Sequence, residues 1–204
     1  MTGVQTCALP ILSEILYEEL SFHDDKHLIL SLDKIIETIN FDPQKVEQTL
    51  YKKETTKEYA LSRVDEKALQ KLIESGDRSV ATHDCSVYKF NNISFNFLHD
   101  ILMSHFKEKN VKSIAMSGRI WYPVNGYMGW HTNSNNMGYR IYCTYAREEG
   151  KSFFRYRDPY SKEIITSYDK QGWNFRMFKI SYDQLWHCIY SETDRLSIGY
   201  SLYI

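Results

Sequence analysis

Apolar positions change period about halfway along the chain. From Leu12 to about Asp77 they recur at helical spacing: Leu32, Ile35, Ile36 and Ile39 make one stripe, with Asp33 near its start and Asn40 at its stop. Asp42-Pro43 predicts a second helix through Val46 and Leu50, since proline is tolerated in a first turn. A third is expected from about Asp65 to Glu74 on Ala68, Leu69, Leu72 and Ile73, ending at Gly76. The intervening Lys52, Lys53, Glu54, Lys57 and Glu58 read as a solvated face rather than a binding patch. Val80 to Phe90 reads as one or two short strands. Ser94 to Lys109 reads as a long helix whose Phe97, Leu98, Ile101, Leu102 and Phe106 stripe packs on the outside of a sheet.

After Asn110 the period becomes alternating. Ser113 to Tyr122, Gly138 to Tyr145, Lys151 to Arg157, Glu163 to Tyr168, Trp173 to Ile180, Leu185 to Ile189 and Arg195 to Tyr203 are strand-like, separated by Gly, Asn, Asp or Pro. Strands in succession point to an antiparallel sandwich or small barrel, and a double-sheet jelly roll closes about eight short strands. The expected class is α+β: a double-stranded β-helix core of the jelly-roll or cupin-like kind over 111–204, with a helical N-terminal support over 12–110, one structural domain overall. Residues Thr2 to Ile11 resemble the conceptual translation of a sequencing adapter. Residues 1–11 are therefore expected to be non-native, which also removes Cys7 from the cysteine count.

Charge narrows the partners. With 25 basic and 26 acidic residues the net charge is −1, so there is no overall pull toward nucleic acid or an anionic membrane. Four cysteines without C-x-x-C spacing, and no apolar run of transmembrane length, point to the reduced cytoplasm.

Candidate chemistry sits between Tyr122 and Ser197. His131 and His187 lie at the ends of separate strands that a sandwich can bring together. Arg195 follows His187 on the next strand, where its planar fork would suit a carboxylate if it faces the same cavity. Taken singly, each histidine reads as a core or turn residue, and Arg195 as a surface partner of Glu192 or Asp194; taken together they read as a metal site with an anion anchor. Tyr142, Thr144 and Trp173 either line the pocket or fill the core, with core the expectation for Trp173. Arg140, Arg155 and Arg157 are candidates for a carboxylate or phosphate on the substrate, although exposed strand charge accounts for at least one of them. His23 and His27 sit four apart, as two ligands on one helix face would, but have no third candidate nearby and read as exposed helix residues. His83 lacks a partner at ligand spacing, and His99 and His105 read as half-buried or exposed helix residues.

Over roughly residues 113 to 203 the sequence resembles the 2-oxoglutarate/Fe(II)-dependent oxygenase superfamily, in particular its prolyl-hydroxylase-like members. The resemblance rests on Tyr122 and Gly126 ahead of His131, on Gly138-Tyr139-Arg140-Ile141-Tyr142 and Gly150-Lys151-Ser152-Phe153-Phe154 as the next core strands, and on Trp186-His187 followed by Arg195-Leu196-Ser197. It implies Fe(II), 2-oxoglutarate and O2 as cofactors. It further implies His131, Asn133 and His187 as catalytic residues, with the metal on His131, His187 and, as third candidate, Asn133. Arg195, Ser197, Tyr122 and Tyr142 would hold the co-substrate. The implied reaction is hydroxylation of a C–H bond of a small molecule or peptide side chain, with release of succinate and CO2.

One departure stands out. The family pattern is His-x-Asp or His-x-Glu, whereas this chain has His131-Thr132-Asn133, and an amide is a neutral and poorer ligand. Asn133 either ligates directly or through water, contacts substrate, or leaves room for a halide, the last ranked lowest because asparagine is bulky. The alternative to an enzyme is a non-catalytic binding module with a degenerate metal site; a cupin with other metal chemistry comes third.

Overall fold

Alternation along the C-terminal half builds two facing sheets, described here by a computed structural model of residues 15–45, 48–49, 55–77, 84–90, 96–181 and 185–204. The adapter-like segment, Cys7, Val46, Leu50, Lys52, Lys53, Glu54 and His83 lie outside the described residues. The larger sheet has seven strands in the order β1 (Tyr17–Leu20), β10 (Gly172–Ile180), β7 (Gly138–Ala146), β12 (Arg195–Tyr203), β5 (Ser113–Tyr122), β4 (Tyr88–Lys89) and β2 (Gln48–Thr49). The smaller has five: β3 (Cys85–Ser86), β6 (Gly126–His131), β11 (His187–Ser191), β8 (Ser152–Arg157) and β9 (Ile164–Tyr168). The architecture is an α+β jelly roll, and all seven expected runs form strands, β5 and β12 with the expected bounds.

Because side chains alternate between faces, each sheet buries two sets of residues. On β12, Leu196, Ile198, Tyr200 and Leu202 face outward into a core shared with Leu28, Leu32 and Ile35 of α1 (Lys26–Ile39) and Leu98 and Leu102 of α4 (Asn96–His105). The smaller sheet turns Tyr127, Trp130, Phe153, Cys188 and Tyr190 toward Ala60 and Leu69 of α2 (Lys57–Arg63) and α3 (Glu66–Glu74). Between the sheets Tyr122, Phe154, Tyr156, Phe178, Ile180 and Ile189 form the inner core. Helix ends are set locally: Asp25 accepts from the Leu28 amide at 2.9 Å, and Asn40 ends α1 in the left-handed region at φ 46°.

The N-terminal part is less helical than its periodicity suggests. Besides β3 and β4, which lie within the short strands expected over Val80 to Phe90 and pair with β6 and β5, it supplies β1 and β2, which pair with β10 and β4. Tyr17-Glu18-Glu19-Leu20 carries too little apolar pattern to be read as a strand; pairing with β10 makes it one. The helix expected from Asp42-Pro43 is a single 3-10 turn over Pro43–Lys45, followed by β2, where sheet pairing overrides local preference. Strand β6 lacks alternation because five of its six residues are buried. Among the described residues no helix is long and apolar enough to cross a membrane.

Candidate functional site

A break in register brings the two histidines together. His187 on β11 pairs with His131 on β6, yet Ile189 pairs with Met128, so Gly129 and Trp130 together oppose Cys188 alone. This is a β-bulge. Strict alternation from Met128, which lines the inner cavity, would aim Trp130 inward and His131 outward. The extra residue reverses both: Trp130 joins the outer core and donates its indole N–H to the Asp65 carbonyl at 2.8 Å, and His131 faces His187 with ring centres 4.1 Å apart. Gly129 donates its amide to the Asp84 carbonyl at 2.8 Å, and a Cβ there would meet Asp84 Oδ2 at 2.9 Å. Asp84 is itself fixed by Arg63 Nε at 2.7 Å and the Tyr127 hydroxyl at 2.8 Å.

Both imidazoles have the same tautomer. His131 Nδ1 lies 2.8 Å from the Gly129 carbonyl and His187 Nδ1 lies 2.9 Å from the Leu185 carbonyl. A carbonyl only accepts, so each Nδ1 carries the proton and each neutral ring keeps its lone pair on Nε2. This is the orientation in which a histidine ligates metal through one nitrogen while the other is held by a carbonyl. Burial lowers the His131 pKa to about 4. His187 is held well below the usual value, first by burial and then by His131 and Arg140. Its ring packs against those of Phe154 and Phe178, at 5.6 and 5.4 Å. Asn133 follows in the left-handed region at φ 52°, which asparagine tolerates, and its side-chain amide donates to His187 Nε2 at 3.2 Å.

Next to the histidines is a cavity of about 190 Å³ whose lining includes Tyr122, His131, Asn133, Tyr142, Ser197 and Gly199. Arg195 lies on the same face of β12 as Ser197 and Gly199, buried to 1% exposure with its guanidinium over the Tyr122 ring at 5.0 Å. Its Nε donates to Asp169 Oδ2 at 2.8 Å and its Nη2 approaches Thr144 Oγ1 at 3.5 Å, while the buried Nη1 has no partner among the described residues. Asp169 also accepts from Arg176 Nη1 and from Ser152 Oγ, each at 2.5 Å. Burial alone would raise the Asp169 pKa, but the two guanidiniums hold it down at about 2. The triad therefore retains one positive charge.

The fold thus gathers His131, Asn133, His187, Arg195, Ser197, Tyr122 and Tyr142 in and around one cavity. Arg195 does not pair with Glu192 or Asp194, which bind Lys57 and Arg147 instead. Trp173 belongs to the outer core, donating to Asp33 Oδ1 at 2.9 Å. Of the three candidate arginines only Arg140 shares the inner face with Tyr142. Arg155 reaches outward to Thr166 and the Val64 carbonyl, and Arg157 holds the Lys162 carbonyl in its hairpin. Away from the cavity, His23 bonds the Trp173 carbonyl, His99 approaches Asp100 and His105 approaches Asp25, while His27 is exposed on α1. Asp169 had no signal in the sequence, since Tyr168-Asp169-Lys170-Gln171-Gly172 reads as an ordinary turn. Among the described residues no group of three His, Cys, Asp or Glu side chains is placed to hold a metal.

No family model matches the sequence, and a comparison with curated proteins finds no match. Solved structures do resemble it. A prolyl-4-hydroxylase from Pseudomonas putida superposes with a TM-score of 0.53 at 8% identity, covering 94% of this chain and 94% of that one. A 2OG-Fe(II) oxygenase family oxidoreductase from Burkholderia pseudomallei gives 0.42 at 11% identity, over 60% and 67% of the two chains. The CENP-C cupin domain of Drosophila melanogaster gives 0.30 at 12% identity, over 74% and 99%. At these identities the likeness is one of fold.

Proposed function

We propose that the chain is an Fe(II)- and 2-oxoglutarate-dependent oxygenase that hydroxylates a C–H bond of a small molecule or peptide side chain, releasing succinate and CO2. The observation that carries this reading is the pair His131 and His187: neutral, buried, with ring centres 4.1 Å apart, both Nδ1 protons committed to carbonyls and both Nε2 atoms unprotonated, that of His187 accepting from the Asn133 amide.

These residues fit a divalent metal, with one difference from the two-histidine-one-carboxylate set of such oxygenases. Asn133 can offer its Oδ1 after a half-turn of its amide, giving an all-neutral donor set. When bound, the metal, 2-oxoglutarate and O2 supply the oxidising chemistry. The chain's own groups place and enclose them. Nη1 of Arg195, with Ser197, Tyr122 and Tyr142, would hold a carboxylate. Phe154, Phe178 and Ile189 supply apolar walls that keep water away. The cavity is smaller than the roughly 300–1,000 Å³ of drug-sized sites, which suits a compact co-substrate.

A second reading, a non-catalytic binding module, has the Asn133 amide in its favour, since that group already satisfies His187 Nε2. The deciding experiment loads the chain with Fe(II) without oxygen, adds 2-oxoglutarate and then O2, and measures succinate. Failure both to bind Fe(II) and to release succinate with any substrate class would sink the oxygenase reading.

A further inference from the structure

Arginine and carboxylate do not balance inside the sandwich. Among the described residues the fully buried charged side chains are Arg140, Arg176 and Arg195 against Asp169 alone. Arg176 and Arg195 both pair with Asp169. Arg140, 4% exposed, pairs with no carboxylate among the described residues: its Nη1 donates to the Tyr139 carbonyl at 3.1 Å and its Nη2 to the Asn136 carbonyl at 2.5 Å. Both acceptors are neutral, so among the described residues the charge itself is unanswered. A buried charge without a counter-ion is costly and calls for one.

Its position says where that counter-ion would lie. On β7, Tyr139, Ile141 and Cys143 face the helix-side core, so Arg140 and Tyr142 face inward. Tyr142 lines the cavity shared with His131, Asn133 and Ser197. Arg140 opposes Ser201 on β12 and Phe178 on β10, and Phe178 packs against the His187 ring. Through the Asn136 carbonyl, Arg140 also ties down the loop that begins at Asn133. The inner face thus offers three cationic groups, Arg195 and Arg176 sharing Asp169, and Arg140 with no carboxylate among the described residues.

We infer that Arg140 is the anchor for a carboxylate on the substrate, so that the substrate class is a compact carboxylic acid held beside the histidine pair. The word substrate rests on the oxygenase reading; the anion site does not. A planar guanidinium donates to a carboxylate in a two-pronged fit, and the carbonyl bonds to Arg140 leave N–H groups for it. A carboxylate also answers the unbalanced positive charge, which a neutral or cationic substrate would not.

The test uses the metal-free full-length chain and matched probes: acetate, butyrate and benzoate against acetamide, butyramide and benzamide, with inorganic phosphate as a further arm. Binding is read by ligand-observed NMR. At least one acid is expected to bind about 10- to 100-fold more tightly than its amide, the range of a charge-assisted hydrogen bond. Arg140→Gln should abolish that preference and Arg140→Lys, which keeps the charge but loses the fork, should retain part of it. Equal binding of acids and amides, a preference that survives Arg140→Gln, or binding of phosphate alone would each overturn the inference. Should the Gln variant not fold, full acid preference in the Lys variant would overturn the guanidinium fit and a reduced one would support it. Separate titrations of Mn(II) and 2-oxoglutarate report on the oxygenase reading, so the two can fail independently.

Discussion

His131 and His187 stand opposite each other across β6 and β11 because one extra residue, at Gly129-Trp130, turns His131 inward. The histidine pair is a product of that bulge, and the bulge depends on Gly129, whose missing Cβ leaves room for Asp84. Gly129→Ala would force a Cβ to within 2.9 Å of Asp84 Oδ2 and 3.1 Å of its carbonyl oxygen. The expected cost is about 1–3 kcal/mol in urea unfolding, as for other overpacked sites, together with weakened Mn(II) binding. Lowered stability with unchanged Mn(II) affinity would show that the bulge does not set the ligand geometry.

Asn133 decides the charge of the metal site. Asn133→Asp puts a carboxylate where the amide now meets His187 Nε2 at 3.2 Å. Mn(II) affinity, followed by calorimetry, is expected to rise by roughly 10- to 100-fold, the span over which changes around a site move metal affinity. No gain in a folded variant would mean that the side chain at 133 cannot reach the metal.

The strands were legible because their alternation is written in the chain; His131, His187 and Arg195 were legible as a set because each sits at a strand end, and Ser197 through the Arg195-Leu196-Ser197 resemblance. What failed to show was anything created by pairing. Strand β6 hides its period since both its faces are buried, and the Gly129-Trp130 bulge exists only as a mismatch with β11. Asp169 looks like a turn residue until β9 and β10 bring it beneath Arg195 and Arg176. Arg140, Arg155 and Arg157 looked alike in sequence; the face that each strand turns inward separates them.

The buried imidazoles make the metal-free chain acid-sensitive. Burial lowers the His131 pKa from 6.5 to about 4. Between those values the unfolded chain binds more protons than the folded one, so stability rises with pH and is lost as pH falls through that window. At about 1.4 kcal/mol per unit, the loss from His131 is on the order of 3 kcal/mol. His187, lowered by burial first and by His131 and Arg140 after it, adds in the same direction. Urea midpoints taken from pH 7 to 4 should fall, and His131→Phe should flatten the slope. A level profile in the unaltered chain would contradict the burial of both rings.

Asp169 ties stability and anion binding together with opposite signs. Its carboxylate is 1% exposed and lies between Arg195 Nε at 2.8 Å and Arg176 Nη1 at 2.5 Å. Asp169→Asn keeps the shape and removes the charge, leaving two buried guanidiniums without a counter-ion. Breaking a buried pair in this way costs about 3–5 kcal/mol, which chemical denaturation would register. The same change frees Arg195 for a bound carboxylate, so 2-oxoglutarate should raise the melting temperature of the variant more than that of the parent chain. Adding Arg195→Met to Asp169→Asn removes one unpaired cation; it should recover part of the lost stability and abolish the extra response to 2-oxoglutarate. If the single variant instead responds to 2-oxoglutarate no more than the parent, Arg195 is a structural partner of Asp169 and the co-substrate anchor lies elsewhere on the inner face.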